Sequence, residues 1–486
     1  MMGGIAAILA VLGAALGGRA LYALFERVLG KDERPRPSAE IWGLSILLGM
    51  GFTSAAAFVW SDLGRPLNAR ISWIQMIGGA LCGLFAIFQH QRRNRVIPAA
   101  PYPHSTALVR ACQILLGLTL LAAVVQTLLT PQRFWDERAI FAIKARVLHE
   151  TQSIDAEELR HPDFVQYHPR YPMMLPLLER HVYALAGEFN DRWSKIWFPA
   201  MYLGLVLSYA GVLSRRYSAD WGWLMALLLA LIPVLMPDEY GFLSAQADAP
   251  MACFHGVAVL CLWDALQDPP GTRRRRGIIL ASSVASGAFF VKDEGTAYII
   301  IDLIAWGLTA ILCGGRIFPS TPEPDRSRSL MGHLLGIVVF GVFAAILLTP
   351  WMRHRATLPT TTEMHYWERL KSHRLLEQLA TLQWSIPHLL HRMFAEWQQW
   401  GLSWWLLILA VVTAPRRAIA GPQLFLLLNL LGALAAFVVA GMLAPAELKE
   451  HLGGSSHRYL MQLVPVAMLF VAAVWSPTPS KSAAPD

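Results

Sequence analysis

Thirteen runs of mostly apolar residues punctuate this chain, near 3–25, 41–60, 72–88, 107–130, 196–213, 221–236, 249–264, 277–291, 297–313, 331–350, 401–414, 421–443 and 459–475. About 20 such residues are what an α-helix needs to cross the hydrocarbon core of a bilayer. Backbone amides inside lipid must be paired internally, which confines each run to a helix. The expected fold is therefore an all-α polytopic membrane protein with about 13 transmembrane helices. A hydrophobic fraction of 55% against 15% charged residues agrees with that class. Three blocks are read: an N-terminal transmembrane extension (1–106), a transmembrane core (107–350) with a long loop at 131–195, and a second loop with the C-terminal helices (351–486).

The net charge of +8 resides in short loops: Arg92, Arg93 and Arg95; Arg215 and Arg216; Arg273 to Arg276; Arg316, Arg326 and Arg328; Arg416 and Arg417. If the runs alternate across the bilayer, all of these fall on one side, as the positive-inside rule requires of the cytoplasmic face. Loop 131–195 and the N-terminus then lie outside. The basic charge is topological, and nucleic acid is not an expected partner. Cys82, Cys112, Cys253, Cys261 and Cys313 all lie in apolar runs, so no disulfide framework is expected. The segments GAALGG and GGALCG suit close packing of the first three helices.

Loop 131–195 carries helical periodicity at Ile140, Ile143 and Val147, with Arg138, Lys144 and Arg146 on other faces. Leu175, Leu178, Val182 and Leu185 repeat the pattern. Both segments are expected to be amphipathic helices lying on the outer membrane surface. HPDFVQYHPRYP between them reads as an ordered turn. Residues 351–400 mix Trp367, Leu370, Leu379, Trp384, Trp397 and Trp400 with histidines, in the manner of an interfacial belt.

The less common polar groups collect at the outer span ends: Asp136 and Glu137; His168 and Arg170; Asp238, Glu239 and Asp248; Lys292, Asp293 and Glu294; Glu447, Lys449, His457 and Arg458. Ionisable groups at membrane depth are costly and mark functional sites. No charge is read at mid-span. Each residue also fits a plainer role: a helix cap for Asp136 or Asp248, an ion pair with a neighbouring acid for Lys292, an interfacial anchor for His168 or Tyr171.

The order WDER after a span, HPRYP-MMLPLLE, QADAP opening a span, VKDEG in a tight hairpin and HRYLMQLVP entering the last span resembles bacterial integral-membrane glycosyltransferases of the GT-C fold, the superfamily of protein O-mannosyltransferases and lipid A aminoarabinose transferases. The likeness covers roughly 107–475. The chain departs in its three additional N-terminal runs, in the adjacent pair Asp136-Glu137 and in having no large C-terminal soluble domain. The resemblance implies transfer from a polyprenyl-phosphate-linked sugar to a hydroxyl of a glycan, lipid or protein, on the periplasmic side of the inner membrane. It implies Asp136 as general base with Glu137 orienting it or binding sugar. It further implies Arg458, Lys292 and Arg170 as cations for the departing phosphate. Asp248, Glu294, His168 and Tyr171 would contact sugar or acceptor. No cofactor is assigned; a divalent ion on Asp136, Glu137 and Asp248 stays open. The competing reading is a transporter or lipid flippase, whose kind places charges near the bilayer midplane.

Overall fold

The computed structural model describes residues 2–30, 36–93, 105–236, 239–314, 326–360, 369, 374–444 and 448–477. Asp238, Glu447, Arg95, Arg316, Trp367 and Leu370 lie outside the described residues. Those described contain helices and no strand. The first half of the chain runs through α1 (Met2–Leu29), α2 (Ser38–Asp62), α3 (Ala69–Arg93) and α4 (Thr106–Leu129), then a π-helical turn, Asp136–Ala142, that continues as α5 (Ile143–Thr151). There follow α6 (Glu157–Arg160), α7 (Met174–Ala186), α8 (Trp197–Arg216), α9 (Ala219–Ala230), α10 (Asp248–Leu266), α11 (Thr272–Val291), α12 (Glu294–Leu312) and α13 (Arg326–Arg355). Beyond these, Gly421–Leu443 and Leu448–Val474 are the long helices.

Every one of the thirteen apolar runs falls on a helix. Among the described residues, ten helices are long and apolar enough to cross a membrane, which makes this a multi-pass all-α protein. Three runs lie on other helices: α9 and Ser403–Thr413 are shorter, and α11 opens on four arginines. The core is graded. α10 is buried along its whole apolar window, α8 and the last helix nearly so, whereas α3 and α4 show most of their surface. Such exposed apolar side chains (Ile114, Leu118 and Leu121 on α4) suit contact with lipid.

The N-terminal helices are joined closely to the rest. A Cβ on Gly49 would sit 1.9 Å from the Ala14 carbonyl oxygen, and one on Gly18 would sit 1.8 Å from that of Ser45. Only glycine allows α1 and α2 to cross at that separation. At the end remote from loop 131–195, Glu40 on α2 accepts from Arg215 at 2.7 Å, and Asp264 on α10 holds both Arg215 and Arg216. Asp268 pairs with Arg216 and Arg273. Some of the bases read as loop charges are thus members of a buried network that fastens α2 to α8 and α10.

Two expectations are corrected. α7 does not lie on a surface: Met174 to Leu185 are all buried, the Glu179-Arg180-His181 face included, and Arg180 donates to Ser72 of α3 at 2.8 Å. Nor are the span interiors free of ionisable side chains. Asp302 on α12 and His255 on α10 are each 1% exposed, and Asp302 Oδ1 lies 3.6 Å from His255 Nε2. Asn429 donates to the same Asp302 oxygen at 2.6 Å. At 1.5 Å per residue, Asp302 lies roughly 12 Å inside the helix that begins at Glu294.

Candidate functional site

Asp248 is the centre of the site. It occupies the first turn of α10, where the sequence reading allows a helix cap, yet its side chain caps nothing. Oδ1 accepts from Lys292 Nζ at 2.8 Å and from Gln462 Nε2 at 2.9 Å, and Oδ2 accepts from Arg458 Nε at 2.9 Å. A carboxylate with no exposed surface needs such donors to stay ionised. Both of its oxygens are engaged, so Asp248 holds the two cations in place and is not available to a sugar.

The cations reach onward from this anchor. Arg458 donates through its terminal nitrogen to Asp136 Oδ2 at 2.8 Å. Lys292 Nζ lies 2.8 Å from Glu294 Oε1, which is the ion pair that the sequence offered as its plainer role. The Asp136 side chain is 22% exposed, and its other oxygen takes no hydrogen bond among the described residues. Tyr240 lies under the Arg458 guanidinium at 4.7 Å, and its ring is 4.8 Å from that of His457. Tyr298 donates to Gln462 at 2.8 Å and stacks on His255 at 4.0 Å, so a column of polar and aromatic groups runs from Asp248 to the buried Asp302.

Glu137 points elsewhere. Its Oε2 accepts from the backbone amides of Arg133 and Phe134 at 2.6 and 2.9 Å, and Oε1 from that of Ala245 at 2.6 Å. A buried carboxylate with three backbone donors is a clamp between two chain segments. It fixes the start of the Asp136 turn against the strip that leads into α10, which fits an orienting role and leaves nothing for a sugar. The set Asp136, Glu137 and Asp248 does not fit a metal: a guanidinium joins two of them and backbone amides saturate the third. No cluster of three His, Cys, Asp or Glu placed to hold an ion occurs among the described residues.

His168, Arg170 and Tyr171 gather beyond the 292–294 hairpin rather than around Asp248. His168 has φ of 50° and its carbonyl accepts from the buried Lys144 Nζ at 2.8 Å. The His168 and Tyr171 rings lie 4.8 Å apart. Arg170 Nε donates to the Leu358 carbonyl at 2.9 Å, and Arg355 pairs with Asp293 at 2.9 Å. Burial pushes Asp293 up to about 6 and Lys144 down to about 7. Lys144, Gln462, Tyr298, Tyr240 and Arg355 were not singled out from sequence. Gln462 follows Arg458 by one helical turn, a spacing that does point to it. Of the other outer groups, Lys449 lies over the Trp384 ring and the Glu239 carbonyl accepts from Gln246.

No family model matches the sequence, and no curated protein matches it either.

Proposed function

We propose that this protein is a GT-C-type membrane glycosyltransferase, moving a sugar from a polyprenyl-phosphate donor to an acceptor hydroxyl with inversion. In this reading all thirteen apolar runs cross the bacterial inner membrane and the Asp248 centre faces the periplasm. The observation that carries it is Asp136: partly exposed, held through one oxygen by Arg458, and open at the other. That is the arrangement a general base needs, because geometry is fixed while one oxygen stays available to an acceptor proton. As the glycosidic bond breaks, charge grows on the lipid phosphate. Arg458 and Lys292, aligned in advance by Asp248, would meet it: Arg458 with the guanidinium N–H groups not spent on Asp136 and Asp248, Lys292 by exchanging Glu294 for a phosphate oxygen. Arg170 and Arg355 add cationic groups beyond the hairpin.

The direct test is incubation of purified protein with a panel of polyprenyl-phosphate sugars and of glycan, lipid and peptide hydroxyl acceptors, reading release of free polyprenyl phosphate. Release that disappears in Asp136→Asn supports the assignment; no release with any donor removes it. One observation favours a second reading, a transporter or flippase: the His255–Asp302 pair inside the spans, which is where transporters keep ionisable groups. Lipid movement across proteoliposomes without carrier turnover would select that alternative.

A further inference from the structure

The helix that carries Asp136 has another face. Along it Arg138 and Arg146, with Arg133 just before the turn, line a half-open cavity of about 560 Å³, to which Trp135 and Phe189 add aromatic walls. One acid, Asp191, shares the lining with these three arginines, so the wall is net positive. The Arg138 side chain makes no hydrogen bond or ion pair among the described residues. Arg146 is 60% exposed, pairs with Glu150 and lies over the Phe189 ring at 5.4 Å. In the sequence Arg138, Lys144 and Arg146 looked equivalent. Lys144 turns inward and is buried, whereas the two arginines turn to the cavity.

The chain enters this cavity from an apolar helix. α4 ends at Leu129, four residues before Arg133, and Leu121, Val125 and Leu129 on α4 are exposed by 60, 47 and 70%. Four residues span at most about 14 Å, so a headgroup held by these guanidinium groups has the exposed end of α4 within reach of its chains. Guanidinium forks match phosphate oxygens, and an indole favours the headgroup level of a bilayer.

We infer that this cavity binds the phosphate headgroup of a membrane lipid, with its chains along α4, at a place separate from the Asp248 centre. Such a site would exist whether or not the transferase reading holds. A soluble phosphate would gain from the arginines alone; a lipid gains from the α4 surface as well.

Purified full-length protein in a neutral detergent would be titrated with radiolabelled phosphatidylglycerol, with zwitterionic phosphatidylcholine as the reference. The anionic lipid is expected to bind well above the reference, and the double change Arg138→Ala with Arg146→Ala to weaken it at least tenfold. Arg138→Lys should fall between, since it keeps charge and loses the fork. Inorganic phosphate at millimolar concentration should not displace the lipid. Unchanged lipid binding in a double variant with wild-type melting temperature would overturn the inference. Full displacement by inorganic phosphate would also overturn it, because the site would then be one for a soluble anion.

Discussion

Arg458 and Asp136 stand 322 residues apart in the chain and 2.8 Å apart in space, and the same guanidinium reaches Asp248 through Nε at 2.9 Å. One side chain near the entrance to the last span therefore sets both the partly exposed carboxylate and the buried one. Arg458→Ala leaves Asp248 buried with Lys292 and Gln462 alone. Breaking a buried pair by removing one partner costs about 3–5 kcal/mol. A marked drop in melting temperature and loss of carrier release are expected together. Arg458→Lys restores the charge but spans only one carboxylate, so it should recover stability more than turnover. Full turnover in either variant would detach Arg458 from the chemistry.

Asp136 and Glu137 are neighbours with separable duties. Asp136→Asn keeps the volume and a hydrogen bond to Arg458, yet removes the proton acceptor. Turnover should fall by roughly two to four orders of magnitude with little change in melting temperature. Glu137→Gln should do the reverse in proportion: a carboxamide presents one acceptor oxygen where three backbone amides need partners. Expected is a loss of about 1–3 kcal/mol in stability and a smaller effect on turnover. Paired thermal and turnover measurements on the two variants check this, and equal behaviour would dissolve the distinction.

The crossing of α1 with α2 offers a test with its own control. Gly49→Val places side-chain atoms where the Ala14 carbonyl stands, since even a Cβ would come within 1.9 Å. Overpacking of this kind costs about 1–3 kcal/mol. A Cβ at Gly117 on α4, by contrast, would meet nothing within 4 Å. Gly117→Ala should be neutral or raise stability by roughly 0.5–1 kcal/mol, the ordinary gain of alanine over glycine in a helix. Similar melting shifts for the two would argue against a close crossing.

Much of this was legible beforehand, and what was missed has physical reasons. Apolar runs state helix positions directly, because lipid tolerates little else, and each run lies on a helix. Asp136, Asp248, Lys292, Glu294 and Arg458 were singled out as polar groups at span ends, and they do meet. The column below them had a signature too. Glu294, Tyr298 and Asp302 follow one another at four-residue steps, as do Arg458 and Gln462, so each set shares a helix face. Treating runs as uniformly apolar hid it. The Glu137 clamp had no signature at all: its partners are backbone amides, which nearly every residue owns, and one lies 108 residues away. α7 misled for a different reason. Its periodicity gives one apolar stripe but says nothing of what covers the other side, and here α3 reaches the arginine on that polar face.

The covered face of α7 also makes stability depend on pH. Glu179 is buried, accepts from Gln132 at 3.0 Å and Tyr183 at 3.2 Å, and burial raises its carboxyl to about 8. The folded protein keeps this proton up to that pH, while the unfolded chain releases it near the ordinary carboxylate value of about 4.3. Between the two the folded state binds more protons, so unfolding becomes easier as pH rises. The contribution is whole below the unfolded value and is lost as pH climbs to 8, a change on the order of a few kcal/mol. Lys144 acts with opposite sign at higher pH: burial lowers it to about 7, so the cost of keeping it neutral fades as pH rises from there towards about 10.4. Glu179→Gln keeps the shape and remains neutral throughout. Asp293 and Lys144 titrate in both proteins, so the difference between them reports on Glu179: between about pH 5 and pH 8 the wild type in nanodiscs should lose several degrees of melting temperature relative to the variant. Parallel profiles for the two proteins would show that Glu179 does not hold its proton in the fold.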